Sequence, residues 1–186
     1  MRAVLSLATI TFKEGIRNRS LFGIALVALF LFGLNITVAG FFMRDIGKVT
    51  VDMNLSALTV AGLLLVFFVA INLMAKDIDR KTIHLVLSKP LSRAQYIWGK
   101  YLGIQFFVTA SLLLLALCSC LTVALLKHLY PTYFGGFTWT IFFIAICFVL
   151  LKFWVLSAVV IFFSAITTSS LITLIFSVGA YIAGVT

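Results

Sequence analysis

Long apolar runs, interrupted only by short charged segments, constrain this chain more than any other feature. Four runs are long enough to cross a hydrocarbon core of roughly 30 Å as helices. They extend from about Leu21 to Met43, Leu55 to Ala75, Tyr101 to Leu126 and Thr138 to Ile166. Because the runs are continuous rather than alternating, they indicate helices and not the strands of a transmembrane barrel. The sequence therefore predicts an all-α, polytopic membrane protein, with residues 1–186 in one transmembrane domain.

A fifth apolar run begins at Leu171 and reaches the last residue, Thr186. Its sixteen residues give roughly 24 Å of helix, which is less than the thickness of the hydrocarbon core. We therefore expect four complete spans and a fifth that is cut short in this sequence.

The segment 2–19 is expected to lie on the membrane rather than to cross it. Its apolar side chains recur at helical spacing, and its charged side chains fall off that stripe. The stripe consists of Val4, Leu5, Ala8, Phe12 and Ile16. This pattern predicts an amphipathic helix in the membrane interface, and the alternative is a disordered basic leader.

The composition excludes several classes of protein. Charged residues make up 10% of the chain, against about 25% in soluble domains, so the chain is not expected to be a soluble domain. The net charge of +9 does not predict a nucleic-acid partner, because the basic residues lie at the ends of the apolar runs. Cys118, Cys120 and Cys147 lie within those runs without metal-ligand spacing, so we expect them to be structural.

The distribution of Lys and Arg predicts the orientation in the membrane. Ten of these residues lie in the N-terminal segment and the second loop, and three lie in the first and third loops. The side of a membrane protein that is rich in Lys and Arg usually faces the cytoplasm. We therefore expect the N-terminus and the loop 76–100 to be cytoplasmic.

The loop at 76–98 has the sequence pattern of a short helix, a proline stop and a second helix start. Asp77 and Asp79 suit a helix N-terminus, where exposed N–H groups favour carboxylates. Pro90 ends the short helix, and the segment from Arg93 is expected to lead into the third span. Apolar Ile83, Leu85, Val86 and Leu87 need a partner surface, so a purely solvated loop is the less favoured interpretation.

These motifs resemble the membrane-spanning permease subunit of a type-2 ABC exporter. The resemblance rests on KEGIRNR at 13–19, on the second-loop motif, and on Phe163-Ser164 before a Thr/Ser-rich turn. In the second loop the matching residues are Asp77, Asp79, Thr82, Leu87-Ser88-Lys89-Pro90-Leu91-Ser92-Arg93 and Gly99-Lys100-Tyr101-Leu102-Gly103. Members of the family usually have six spans, and many carry Gly where Lys81 stands here.

The resemblance implies a dimer of permeases, each seating its loop on a separate ATPase subunit. The expected coupling residues are Asp77, Asp79, Thr82, Ile83, Val86, Leu87, Pro90 and Arg93. The chain carries no phosphate-loop motif, so we do not expect it to be an enzyme. ATP and Mg²⁺ are expected in the partner, and no cofactor is expected in this chain. The second permease could be identical or related, and membrane lipids are further expected partners.

Lys152 is the only charged residue deep in an apolar run, which makes it a candidate for the substrate path. The alternative is that it snorkels or pairs with a residue of a sixth span. Asn72 and Gln105 are weaker candidates for the path, since interhelical hydrogen bonds explain them, like Asn35, better than contact with a substrate does. The sequence does not identify the cargo.

An aromatic group at the predicted outer ends of the spans indicates an interfacial belt, with a lipid- or sugar-binding lip as the alternative. It consists of Tyr130, Tyr133, Phe134, Phe137 and Trp139.

Two other functions compete with transport. A non-transport membrane anchor of a larger complex is the alternative to the exporter. A lipid-modifying enzyme ranks last, because the five acidic residues form no cluster with His or Cys.

Overall fold

The computed structural model describes residues 2–39, 46–70, 93–167 and 169–185, and all regular structure in these ranges is helical. The α-helices are α1 (Arg2–Ile16), α2 (Arg19–Ala39), α3 (Ile46–Leu64), α4 (Arg93–Leu129), α5 (Trp139–Ile166) and α6 (Ser170–Val185). A π-helical turn, Leu65–Ala70, continues α3, and a 3₁₀ turn, Pro131–Phe134, joins α4 to α5.

Four of these helices are long and apolar enough to cross a membrane. The apolar stretches are Leu21–Val38, Ile46–Phe68, Ala94–Leu129 and Trp139–Ile166, and a shorter apolar helix covers Ser170–Gly184. The prediction of an all-α, polytopic membrane protein with four long spans and a short fifth apolar segment is confirmed.

The predicted start of the second span, Leu55, is wrong. The helix begins at Ile46, because a polar N-terminal part of α3 packs against the rest of the bundle. Thr50 and Asn54 are buried there, while Lys48 and Asp52 lie on the exposed face. Hydropathy alone places such a segment in a loop, whereas tertiary packing makes it helical.

The other boundaries differ less. The first helix ends at Ile16, and α2 already begins at Arg19. The expected lead from Arg93 into the third span is confirmed, since α4 runs without a break to Leu129. At about 1.5 Å per residue α4 is roughly 55 Å long, more than a bilayer core requires. Its first turns therefore extend beyond the hydrocarbon region or tilt within it.

The core lies where α3, α4 and α5 meet, and its largest fully buried side chains include Phe107, Phe142 and Phe153. A Cβ at Gly62 would lie 2.3 Å from Cε2 of Phe153. The missing side chain at position 62 therefore lets the ring lie directly against the backbone of α3, and this brings α3 and α5 close together.

The aromatic group around the α4–α5 connection is partly internal. Phe134 is buried, and its ring meets Phe137 edge to face at 5.9 Å. Phe137 in turn meets Trp139 at 5.0 Å, and the ammonium of Lys127 lies 5.3 Å from the Phe137 ring centroid. Tyr130 and Tyr133 are exposed. Part of the predicted belt thus closes this end of the bundle instead of facing lipid.

Candidate functional site

The predicted coupling loop falls almost entirely outside the described residues. Asp77, Asp79, Thr82, Ile83, Val86, Leu87 and Pro90 all lie in the range 71–92. Arg93 is the first residue of α4. The structure therefore describes the helices that flank the loop on either side, and the roles of the loop residues stay predictions.

The first turns of α4, directly after the loop, hold α1 in close contact. A Cβ at Gly99 would lie 2.8 Å from Cδ2 of Leu7. At Gly103 it would lie 2.6 Å from Cβ of Thr11 and 2.8 Å from the carbonyl oxygen of Ala8. Gly99 and Gly103 form a G-x-x-x-G sequence, which lets another helix approach closely, and the neighbour is α1 of the same chain. We call this contact the α1–α4 clasp, formed by Leu7, Ala8, Thr11, Gly15, Gly99, Gly103 and Phe107.

The face of α1 in the clasp overlaps the predicted apolar stripe only in part. Ala8 of the stripe is buried together with Thr11 and Gly15, whereas Leu5 of the stripe is 58% exposed and Ile16 is also exposed. Small side chains let the two helix backbones approach, and the larger apolar side chains are left on the outside. The sequence signal for this face was the spacing of the small residues at 8, 11 and 15.

An ion pair adds to the clasp. The Nζ of Lys100 lies 3.7 Å from Oε2 of Glu14, and the Lys100 side chain is only 3% exposed. From the sequence, Lys100 contributed to the count of basic residues that sets the topology and to the second-loop motif, and no contact was predicted for it. Its burial between α1 and α4 makes it a structural residue, because a buried ammonium requires a compensating charge or hydrogen bonds.

A narrow groove opens beside the clasp, between α1 and the first turns of α4. It holds about 500 Å³ and is lined mainly by apolar side chains, among them Val4, Leu5, Trp98 and Leu102. Trp98 is largely exposed and meets Tyr101 edge to face at 5.9 Å. Aromatic and apolar side chains at this position suit contact with a lipid interface or with a protein partner.

Lys152 lies in the middle of α5, and its Nζ donates a hydrogen bond of 2.9 Å to the phenolic oxygen of Tyr181. The ammonium is also 4.9 Å from the centroid of that ring. Tyr181 belongs to α6, so within the described residues the hydrogen-bond partner of Lys152 comes from the fifth apolar segment. Pairing with a residue of a sixth span stays a prediction. The ring of Tyr181 meets Phe67 of the π-helical turn edge to face at 6.3 Å.

Gln105 ties α4 to α5. Its Nε2 donates to the backbone carbonyl of Trp154 at 3.0 Å and to the phenol of Tyr101 at 2.9 Å. The indole N–H of Trp154 donates back to Oγ1 of Thr109 at 2.9 Å. Two positions along a helix correspond to roughly 200° of rotation, so Trp154 and Lys152 face different neighbours.

The third candidate for the path, Asn72, lies outside the described residues. Asn35 makes an interhelical hydrogen bond, since its Nδ2 donates to the Thr50 carbonyl at 3.1 Å. This is the structural role that the sequence offered for Asn35 and Gln105.

A groove along α3 with both polar and apolar side chains, which was not predicted from the sequence, ends at Tyr181. It holds about 540 Å³, lies open to the surroundings, and is lined by Asp52, Leu55, Ser56, Thr59, Val60, Leu63 and Tyr181. The signal in the sequence was the spacing of Asp52, Ser56 and Thr59, which share one helical face. Starting the span at Leu55 left Asp52 in a loop and hid that face.

In the described part of the chain, no three His, Cys, Asp or Glu side chains come together as metal ligands would. The candidate functional site consists of the clasp, the hydrogen-bonded pair of Lys152 and Tyr181 within the membrane-spanning helices, and the groove that leads to that pair.

Comparison with protein families gives one match. A family model described as ABC-2 family transporter protein matches residues 5–184. Comparison with curated proteins finds none that matches. The matched range includes α2 to α5 entirely and nearly all of α1 and α6.

Proposed function

Since the chain belongs to the ABC-2 family of transporter proteins, we propose that it is the permease subunit of an ATP-driven exporter. It is a multi-pass membrane component of an ABC-type transporter, and membership of the family implies association with an ABC ATPase. The finer proposal is that a separate ATPase, which supplies ATP and Mg²⁺, docks on the cytoplasmic loop 76–98. Two permeases, identical or related, would form the pathway in a cytoplasmic membrane of bacterial type.

The α1–α4 clasp is the observation that carries this proposal. The loop ends where α4 begins, and the first turns of α4 are bound to α1 by backbone-level contacts at Gly99 and Gly103 and by the Glu14–Lys100 pair. A displacement of the loop would therefore move α1 and α4 together, because closely packed helices shift as rigid bodies. A loop that served only as a topology signal would need no such attachment.

The surfaces of the bundle leave room for the other proposed partners. Large apolar side chains are exposed along α2, among them Phe22, Leu26, Leu29 and Phe30. Lipid or a second permease would cover such a surface in a membrane. The exposed apolar residues of α1, including Leu5 and Ile10, would likewise lie in the membrane interface.

The experiment replaces a proposed docking residue by a charge. Leu87→Asp and Ile83→Asp each place an unpaired carboxylate in the docking surface, whose desolvation costs several kcal/mol when no partner compensates it. We expect the permease to insert normally, because no apolar run is changed, and the ATPase to be lost on purification. Transport-linked ATP hydrolysis in reconstituted membranes should fall with it.

The matched control is His128→Asp, which adds the same charge at the exposed far end of α4. Assembly and hydrolysis at wild-type level in both loop variants would remove the loop from the mechanism. A chain that never co-purifies with an ATPase would instead favour the membrane-anchor alternative.

A further inference from the structure

The groove along α3 has an unusual lining for a surface in a membrane. Asp52, Ser56 and Thr59 lie on one face of the helix, and Leu63 and Tyr181 lie further along. Lipid-facing surfaces in the hydrocarbon region are apolar, because hydrocarbon offers no hydrogen-bond partners. The Thr59 hydroxyl donates to the carbonyl of Leu55 at 2.8 Å, so Asp52 and Ser56 supply the polar groups of this stretch beside apolar Leu55, Val60 and Leu63. An open groove with this mixed lining suits an amphipathic ligand better than lipid tails alone.

The groove is polarised along its length. Asp52 and Leu63 are separated by roughly 16 Å of helix. Tyr181 packs against Phe67 in the π-helical turn that follows α3, so it lies at the end of the groove away from Asp52. One end thus carries a carboxylate, and the other end carries a phenol backed by the ammonium of Lys152.

The hydrogen bonding at Tyr181 leaves donors unused. Because Lys152 donates to the phenolic oxygen, the phenol acts as acceptor there and keeps its own hydrogen for another partner. In the described part of the chain, no acceptor for that hydrogen is found, and no carboxylate lies within 4.0 Å of the Lys152 ammonium. A cation in the middle of a span is unfavourable until a charge or ligand compensates it.

We propose that this end of the groove binds an oxyanion, a phosphate or carboxylate group carried by the cargo. The Tyr181 hydroxyl would donate to the oxyanion, and the Lys152 ammonium would supply the opposite charge and polarise the phenol. Charge-assisted hydrogen bonds of this kind are shorter and stronger than neutral ones. Edge contact with Phe67 holds the Tyr181 ring in place, and Asp52 disfavours an anion at the other end.

This inference deepens the proposed transport function by assigning a class of cargo, and it rests on that function for its physiological meaning. Two sources carry the same chemistry. The oxyanion could be the head group of an anionic lipid that enters the open groove sideways, or it could belong to a molecule dissolved in water. The binding site is the same in both cases.

The test measures binding without nucleotide, on the full chain in its native assembly in detergent, by native mass spectrometry. The probes are phosphatidylglycerol, phosphatidylcholine and inorganic phosphate. In the wild type we expect phosphatidylglycerol, phosphate or both to bind at this site. If lipid is the source, phosphatidylcholine should bind at least about tenfold more weakly than phosphatidylglycerol. Binding of phosphatidylglycerol alone identifies a lipid head group, and binding of phosphate as well identifies a free oxyanion.

Variants assign the binding to this site. Lys152→Met should weaken the bound oxyanion probe about tenfold, and Tyr181→Phe, which removes only the hydroxyl, about fivefold. Lys152→Arg keeps the charge and should stay within about threefold of the wild type. The matched control, Lys127→Met, removes a cation that lies over the rings of Phe137 and Trp139, neither of which lines the groove, and should not change binding at the Tyr181 end.

The inference is overturned if the wild type binds neither oxyanion probe, or if Lys152→Met and Lys127→Met weaken binding equally. Should Lys152→Met fail to fold, unchanged binding in Tyr181→Phe overturns it. An assembly that couples ATP hydrolysis but binds no oxyanion contradicts this inference alone. A chain that binds the oxyanion but never associates with an ATPase contradicts the exporter proposal alone.

Discussion

Replacing Gly103 by alanine should force α1 and α4 slightly apart and so destabilise the clasp. The new Cβ would lie 2.6 Å from Cβ of Thr11 and 2.8 Å from the carbonyl oxygen of Ala8. Neither atom can move by a change of rotamer, because one is a backbone atom and the other is fixed to the backbone. An ordinary contact begins near 3.4 Å, so α1 has to withdraw by about 0.6 Å from the Ala8 contact alone.

The expected loss of stability follows from this displacement. Overpacking a close interface costs about 1–3 kcal/mol, and two contacts with backbone-bound atoms place this site in the upper part of that range. The higher helix propensity of alanine returns at most about 1 kcal/mol. The net loss of about 1–2 kcal/mol corresponds to a lowering of Tm by about 3–6 °C for a chain of this size.

The measurement is thermal unfolding of the purified assembly in detergent, with Gly23→Ala as the control. A Cβ at Gly23 would have nothing within 4 Å, so that variant changes helix propensity and adds no clash. ATP hydrolysis coupled to transport should also fall in Gly103→Ala, since the clasp is proposed to transmit the movement of the loop. If both variants melt within about a degree of each other, the clasp is not closely packed and this reasoning is refuted.

Two further predictions concern the ion pair and the orientation. Glu14→Gln removes the carboxylate that lies beside the buried Lys100 ammonium. Thermal unfolding should show a loss of stability between the ~1 kcal/mol of an exposed ion pair and the ~3–5 kcal/mol of a buried one. An unchanged Tm would show that the pair contributes nothing to stability. Single cysteines at Ser6 and Ser88 should react with an impermeant reagent from the same side of the membrane, and one at the exposed Lys48 from the opposite side. Labelling of Ser88 from outside intact cells would contradict the predicted topology.

The helical membrane class followed from the sequence because long apolar runs have few alternatives in a bilayer. The start of α3 did not, because Thr50 and Asn54 become buried only through tertiary contacts that hydropathy does not register. The error had a consequence for function, since it concealed the helical face on which Asp52, Ser56 and Thr59 lie together.

The packing face of α1 was missed for a related reason. Apart from Ala8, the predicted stripe consisted of larger apolar side chains, whereas close helix contact in a membrane uses small residues, here Ala8, Thr11 and Gly15 against α4. Lys152 was recognised as exceptional from its position in an apolar run. Its partner, Tyr181, lies 29 residues away in the sequence, and no local pattern connects the two residues.

The composition of the purified assembly tests the central claim most directly. Native mass measurement in detergent or a lipid nanodisc, after expression with a co-encoded ATPase, should give two permeases and two ATPases. This result holds whether the second permease is identical to this chain or related to it, because each permease would contribute one docking loop. A stable particle that contains one permease and one ATPase, or this chain with no ATPase at all, would contradict the account.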